Sequence, residues 1–356
     1  MQTISLAADS IGPDLLPLEE LADCAETVLR RDGRTILSYG SAAGYAPLRE
    51  LIGQWFGVHP GRVVLTNGRL QGLDLIARHA VRGRSVMAEY PIHDRAERVF
   101  LRSGASLLAV PVDRDGIVTE ELQNTLGQYV QPAMVYVTPS FHNPTGWTTP
   151  EAGRRRVLEL VIGQSAVQTE QIMLLEDESY ALTRFEGEPL PALFDLSGGR
   201  TMYSSSFSAT IAPGLRVGFL VLPDALAEEI AEAAASTYIT PVLLGQAIVH
   251  ELITRGSFES HVARLRAGLR ERRDAMLAAL ERHFPGATWS RPEGGLFVWL
   301  ELPGHPDGRE VLKRAEGVTA VAGTQFGSMS SSLRLSFGFA RPDEIEAGVE
   351  RLAAAL

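Results

Sequence analysis

Between residues 62 and 222 the chain repeats one alternation, a short apolar run followed by a stretch with helical spacing. RVVLT (62–66), SVMAE (85–89), SLLAVPV (106–112), AMVYV (133–137), IMLLE (172–176) and TMYSS (201–205) read as buried strands, and LRVGFLVL (215–222) adds a seventh. Helical patterns separate most of them, at 68–81, 91–103, 118–127 and 150–165, with another at 223–236 after the last run. Runs that are apolar throughout, rather than alternating, belong to strands covered on both faces, and strands that alternate with helices make a mostly parallel sheet. This is an α/β fold with a seven-stranded sheet in its large domain. After Pro241 the pattern changes to two helices, the second spanning 256–284, then ATWS, GGLFVWLEL, a helix at 308–316, VTAVAG, LRLSFG and a last helix at 342–355. That order predicts a smaller α+β domain on a short, mainly antiparallel sheet. The expected division is 1–40 for an N-terminal arm and helix, 41–240 for the large domain, and 241–356 for linking helices and the small C-terminal domain.

Composition removes several classes of function. A net charge of −10 argues against a general nucleic-acid-binding surface. No apolar run is long enough to span a membrane, and the start has no basic segment leading into an apolar one, so a cytoplasmic protein is expected. The single cysteine, Cys24, lies on an apolar helical stripe and reads as core, and no Cys/His cluster has metal-ligand spacing, so no metal is expected. Of the 33 basic residues, one alone is lysine, Lys313. Arginine keeps its proton at working pH, so Lys313 is the single candidate for any amine-nucleophile chemistry. It lies on a polar helical face and reads as solvated.

Open α/β sheets bind ligands at the carboxyl ends of their strands. There the first strand ends in Thr66-Asn67-Gly68 and runs into a helix beginning Arg69-Leu70-Gln71-Gly72. The fourth ends in Thr138-Pro139-Ser140-Phe141-His142-Asn143-Pro144-Thr145-Gly146 and the fifth in Glu176-Asp177-Glu178-Ser179-Tyr180. The sixth leads into Ser204-Ser205-Ser206-Phe207-Ser208-Ala209, then Pro213-Gly214-Leu215-Arg216-Val217-Gly218. Singly, asparagine and serine at strand ends satisfy turns, and a carboxylate there is often merely solvated. Together the loops supply an amide, a carboxylate with a phenol, and hydroxyls with an arginine. The run Arg154-Arg155-Arg156 reads as a solvated helix face.

These motifs resemble those of fold-type I pyridoxal-5′-phosphate (PLP) enzymes of the class I/II aminotransferase family. The branch most similar contains aminoadipate and kynurenine aminotransferases and the effector domains of MocR-type regulators. The likeness runs from Ser38-Tyr39-Gly40 to Leu333-Arg334-Leu335. It implies that Asp177 pairs with the pyridine nitrogen, and that Asn143 and Tyr180 bond the ring's phenolic oxygen. Ser206, Ser208 and Arg216 would hold the phosphate, with Gly68 and the amides of Arg69 and Leu70 at the helix start. Tyr39 would reach the phosphate of a neighbouring subunit, which implies a homodimer with shared active sites. Arg334 would clamp the α-carboxylate of an amino-acid-like small-molecule substrate, with Asn143 beside it.

Three departures matter. The family's Schiff-base lysine falls at Ala209, and alanine can neither hold PLP nor shuttle a proton. Positioned acid–base catalysis contributes roughly 10²–10⁴-fold, so turnover should be crippled. Arg69 stands where relatives carry serine, and is either a second cation at the phosphate or a residue facing solvent. His93 stands where relatives stack a tyrosine on the ring, so it is expected to stack there and to take part in proton transfer; His142 is expected to be structural. The implied parent activity is PLP-dependent transamination of an α-amino acid through an external aldimine and a quinonoid. With the rest of the motif intact, we read Ala209 as a replaced lysine that traps the external aldimine, since the segment before residue 40 has no room for a regulator's DNA-binding domain. Two alternatives stay open: elimination, replacement or carbon–carbon bond formation in specialised metabolism, and a natural non-catalytic PLP- or amine-binding homologue.

Overall fold

The computed structural model describes residues 3–128, 132–167, 171–328 and 330–356. Its large sheet comprises β1 (Val63–Thr66), β2 (Ser85–Tyr90), β3 (Ser106–Asp113), β4 (Gly116–Ile117), β5 (Met134–Val137), β6 (Met173–Asp177), β7 (Met202–Ser206) and β8 (Gly218–Val221). Among the described residues they stand in the order β1-β8-β7-β6-β5-β2-β3-β4. The seven expected strands are all present, and β4 adds an eighth by turning back antiparallel on β3. β2, β3, β5, β6 and β7 run parallel, whereas β8 is antiparallel to both its neighbours, β1 and β7. The carboxyl ends of β1, β2, β5, β6 and β7 therefore open on one edge.

The apolar runs are continuous because successive residues serve different cores. On β1, Val63 and Leu65 pack with Leu48, Ile52 and Phe207, while Val64 joins Leu73, Ala88 and Leu220 on the other face. Each such fully buried side chain contributes about 1.5–3 kcal/mol relative to exposure. Two boundaries differ from expectation. β8 begins at Gly218 rather than 215, because Pro213–Leu215 forms a tight turn and Arg216 takes a left-handed φ of 55°. The helix expected over 68–81 is regular only over Arg69–Ile76 and then widens at Ala77–Val81.

The C-terminal part contains β9 (Thr288–Trp289), β10 (Phe297–Glu301), β11 (Val321–Ala322) and β12 (Ser332–Ser336), in the antiparallel order β9-β10-β12-β11. Register places Arg334 between Trp299 and Val321. Helices Ser257–His283 and Pro342–Ala353 cover this sheet through Leu269, Met276, Ile345 and Val349. The N-terminal arm is tied to the same unit, with Ile4–Ser5 pairing parallel to Val318–Thr319. No helix among the described residues is long and apolar enough to cross a membrane.

Candidate active site

The site begins where β1, β7 and β8 meet. Thr66 and Ser206 both lie opposite Gly218, which draws the two strand ends together. The approach is too close for any side chain at 218, where a Cβ would stand 2.4 Å from the Arg69 amide nitrogen. Gly68 caps the helix Arg69–Ile76 at φ 90°, and a Cβ there would lie 2.1 Å from an Arg216 guanidinium nitrogen. Arg216 itself donates to the carbonyls of Pro213 and Asn67, each at 3.1 Å. The Ser208 amide donates to Ser206 Oγ at 3.4 Å. Hydroxyls, a guanidinium and a bare helix start thus surround one end of a cavity of about 190 Å³, whose wall includes Leu70, His93, Tyr180, Ser206, Ser208 and Ala209. Such a set suits an anion.

Asp177, at the end of β6, is buried and fully engaged. The Tyr136 hydroxyl donates to its Oδ2 at 2.6 Å and the Ser179 hydroxyl to its Oδ1 at 2.7 Å. Arg69 forms a close ion pair with the same Oδ2. Neither expectation for Arg69 holds in this geometry. It does not face solvent, and its guanidinium is directed to Asp177 rather than into the group around Arg216. Burial works against the charge of Arg69, but Asp177, Tyr136 and Tyr180 together push its pKa up. A second Arg69 nitrogen lies 3.2 Å from His93 Nδ1. Arginine can only donate, so Nδ1 accepts and the imidazole proton sits on Nε2. Burial, followed by the charges of Arg69, Arg334 and Arg95, holds the His93 pKa well below its usual value. His93 is therefore a neutral group in the cavity wall.

Asn143 joins the cavity to the small sheet. Its Nδ2 donates to the Tyr180 hydroxyl at 3.3 Å and its Oδ1 accepts from Arg334 at 3.0 Å. Burial raises the Tyr180 hydroxyl to about 12. Arg334 is 2 % exposed, with its guanidinium 4.2 Å from the Phe297 ring centre and 4.9 Å from that of Phe326. Asp9, from the N-terminal arm, meets it in an ion pair that lacks hydrogen-bond alignment at Oδ1.

Behind this layer lies a buried polar shell that the sequence reading missed. Arg154 is 1 % exposed, so the reading of 154–156 as a solvated face is corrected: Arg155 and Arg156 are exposed, Arg154 is core. It bonds Glu178 at 3.1 Å, Ser140 at 2.8 Å and the carbonyls of Thr149, Pro139 and Pro191. Glu176 accepts from the amides of Leu193 and Phe194 and likewise faces no solvent. Glu89 accepts from the Thr138 amide at 2.5 Å, and burial pushes its carboxyl up to about 8. A carboxyl raised in the folded state adds stability that is complete below its unfolded value near 4.5 and is lost as pH rises toward 8. Glu89→Gln should therefore flatten the decline in unfolding free energy between pH 5 and 8 by on the order of 3 kcal/mol, read from urea titrations at each pH. An equally steep decline in the variant would refute the assignment.

The remaining candidates are placed as follows. His142 is buried, 2.8 Å from Thr145 Oγ1, with its pKa driven to about 3 by burial, which fits a structural role. Lys313 is a surface residue paired with Glu310 at 2.7 Å. Tyr39 is 80 % exposed, on a segment beside Thr240, whose hydroxyl bonds the Ser41 carbonyl. Cys24 is buried. No group of three or more potential metal ligands occurs among the described residues.

Comparison with known proteins gives a consistent result. The family model for Aminotransferase class I and II matches residues 13–352. A 2-aminoadipate transaminase of Thermus thermophilus is 36 % identical over 365 residues, spanning 99 % of this chain and 90 % of the relative. The crystal structure of α-aminoadipate aminotransferase from Thermus thermophilus, complexed with N-(5′-phosphopyridoxyl)-L-leucine, superimposes with a TM-score of 0.93 at 35 % identity, covering 99 % of this chain and 92 % of that one. That of Pyrococcus horikoshii kynurenine aminotransferase gives 0.92 at 32 % identity, covering 100 % and 91 %.

Proposed function

Because the chain belongs to the class I and II aminotransferase family, we propose that it binds pyridoxal phosphate together with an amine substrate and, with alanine at 209, holds them without efficient turnover. Pyridoxal phosphate is the cofactor that this family membership brings. The residues around Arg216 fit its phosphate, whereas Asp177, the residue for the ring nitrogen, is already paired with Arg69. The observation that carries the reading is the anion cup, in which Gly68 leaves room that any side chain would fill with a clash on Arg216. Arg216, Ser206, Ser208 and the amides of Arg69 and Leu70 are the phosphate ligands in this reading. Asn143 and Tyr180 face the phenolic oxygen, and Asp177 is the partner of the ring nitrogen, which must share it with Arg69.

When bound, the cofactor supplies an aldehyde that condenses with an amine and a ring that withdraws electrons from the amine's α-carbon. The chain's own contribution is positioning and proton control. Tyr180, with its raised pKa, stays a neutral donor through the physiological range. His93 stays neutral too, with a proton on Nε2 and a lone pair held by Arg69, so it can flank a ring without adding charge. Ala209 offers no amine and no base, which removes both the covalent anchor and the group that would move a proton at the α-carbon. The exposure of Tyr39, Leu37, Ile239 and Val242 supports a homodimer in which such apolar side chains are covered. A single buried thiol suits the cytoplasm.

The test is direct. Pyridoxal phosphate should bind reversibly, leave on dialysis, and appear on no peptide after borohydride reduction. Arg216→Ala should weaken its binding roughly 10–100-fold, since charge-assisted hydrogen bonds to phosphate are lost. Unchanged affinity in that variant would remove the phosphate cup from the reading.

A further inference from the structure

We propose that Arg69 is a built-in rival of the cofactor's ring nitrogen for Asp177: it neutralises that carboxylate in the ligand-free chain and weakens its hold on the ring when the cofactor is bound. This rests on the cofactor reading above and deepens it by naming the residue that sets the strength of one of its contacts.

The position of Arg69 allows both roles. It is the first residue of the helix that Gly68 caps, so its amide belongs to the phosphate end of the site while its side chain runs along the cavity wall. The guanidinium, 13 % exposed, reaches Asp177, 4 % exposed. One terminal nitrogen pairs with Asp177 Oδ2 and donates to the Tyr136 hydroxyl at 3.4 Å. The other donates to His93 Nδ1 at 3.2 Å. The Tyr136 hydroxyl in turn donates to the same Oδ2 at 2.6 Å.

A buried carboxylate needs such a partner. Asp177 stands among other acids, and its charge helps to raise the carboxyls of Glu89 and Glu178. Without a cation it would be costly to keep ionised in this place. Arg69 supplies that cation from within the chain, so the carboxylate is matched before any ligand arrives.

The arrangement does not shut the ring out. An ionised carboxylate has roughly four acceptor sites. Arg69 and Tyr136 use Oδ2 and Ser179 uses Oδ1, which leaves Oδ1 with room for a further donor. A pyridine N–H that takes this place shares Asp177 with a permanent cation, whose charge Asp177, Tyr136 and Tyr180 stabilise further. The carboxylate favours a protonated ring nitrogen, whereas the guanidinium disfavours it, so the two effects offset one another. Where Arg69 is displaced instead, the cost of unpairing it is subtracted from the binding free energy. Either route lowers the worth of the ring nitrogen as a binding group. Arg69 acts here through Asp177, as a positioning residue.

Pyridoxal phosphate and its 1-deaza analogue, in which C–H replaces the ring nitrogen, isolate this contact because the phosphate is common to both. In titration calorimetry of the full chain their dissociation constants should agree within about threefold. In Arg69→Ser, pyridoxal phosphate should bind at least about tenfold more tightly than the analogue, and Arg69→Gln, which keeps donors without charge, should behave alike. A ratio unaltered by either substitution overturns the proposal while the cofactor reading stands. An equal weakening of both ligands in the variants does the same, and makes Arg69 a phosphate ligand. Thermal unfolding without cofactor reads the other half. Both variants should melt roughly 5 °C below the native chain, and saturating pyridoxal phosphate should narrow that gap more than the analogue does. Variants that melt with the native chain remove Arg69 as the counter-ion of Asp177. If no protein binds either ligand, the cofactor reading fails and takes the ring-nitrogen half with it, while the melting comparison still decides the counter-ion half.

Discussion

Replacing Ala209 by lysine will give a protein that holds pyridoxal phosphate covalently and transaminates about 10²–10⁴ times faster than the parent chain, or more. Position 209 lies three residues past the end of β7, in the cavity wall with Ser208, Tyr180 and His93, so a lysine stem there enters the cavity beside the proposed phosphate ligands. An amine so placed would supply a covalent anchor for the cofactor and a base at the substrate's α-carbon. Borohydride reduction followed by peptide mass spectrometry reads the first property, with the label expected on the peptide containing residue 209. Conversion of an amine in the presence of a keto-acid acceptor reads the second. Lys313, 70 % exposed and engaged with Glu310, should stay unlabelled in both proteins. A lysine variant without a reducible cofactor link would mean that residue 209 does not face the aldehyde.

Removing Arg154 should cost about 3–5 kcal/mol of folding stability, although the residue does not line the candidate-site cavity. Its guanidinium is the cation facing Glu178, and it also carries three carbonyls that form the turns after β5 and before helix Leu193–Leu196. Arg154→Ala leaves Glu178 buried with Glu176 and Asp177 close by; burial and the neighbouring Asp177 already raise the Glu178 pKa, against the pull of Arg154. Urea unfolding measures the effect. Arg155→Ala, on the exposed side of the same helix turn, is the matched control and should stay within about 0.5 kcal/mol. Similar losses for the two variants would show that the buried network is not what stabilises this region.

The strands and the loops at their carboxyl ends were legible because their signals are local. Continuous apolar runs mark doubly covered strands, and β6, read at 172–176, is found at Met173–Asp177. Gly68, Ser206, Ser208 and Arg216 also lie next to strand ends, and the resemblance to a known family, rather than their spacing, is what proposes them for a phosphate. What stayed hidden depends on partners far away in the chain. Nothing in Arg154-Arg155-Arg156 distinguishes the one arginine that turns inward, because the choice is made by Glu178 on another strand. Asp9 gave no signal at all, as its meaning comes from Arg334 on β12. Arg69 was recognised as unusual, yet its destination follows from Asp177 and Tyr136, whose side chains converge only once β5 and β6 are paired.

Leu6 is bonded to Thr319 and to Ser336, so the arm and the sheet bearing Arg334 are stitched into one piece. That piece is tied in turn to the loops of the large sheet, through Arg334 to Asn143 at 3.0 Å and through the Ile92 amide to the Phe326 carbonyl at 3.1 Å. The residues around the site are therefore held from both units, and a change in the first ten residues of the chain is transmitted to the ends of the large sheet's strands.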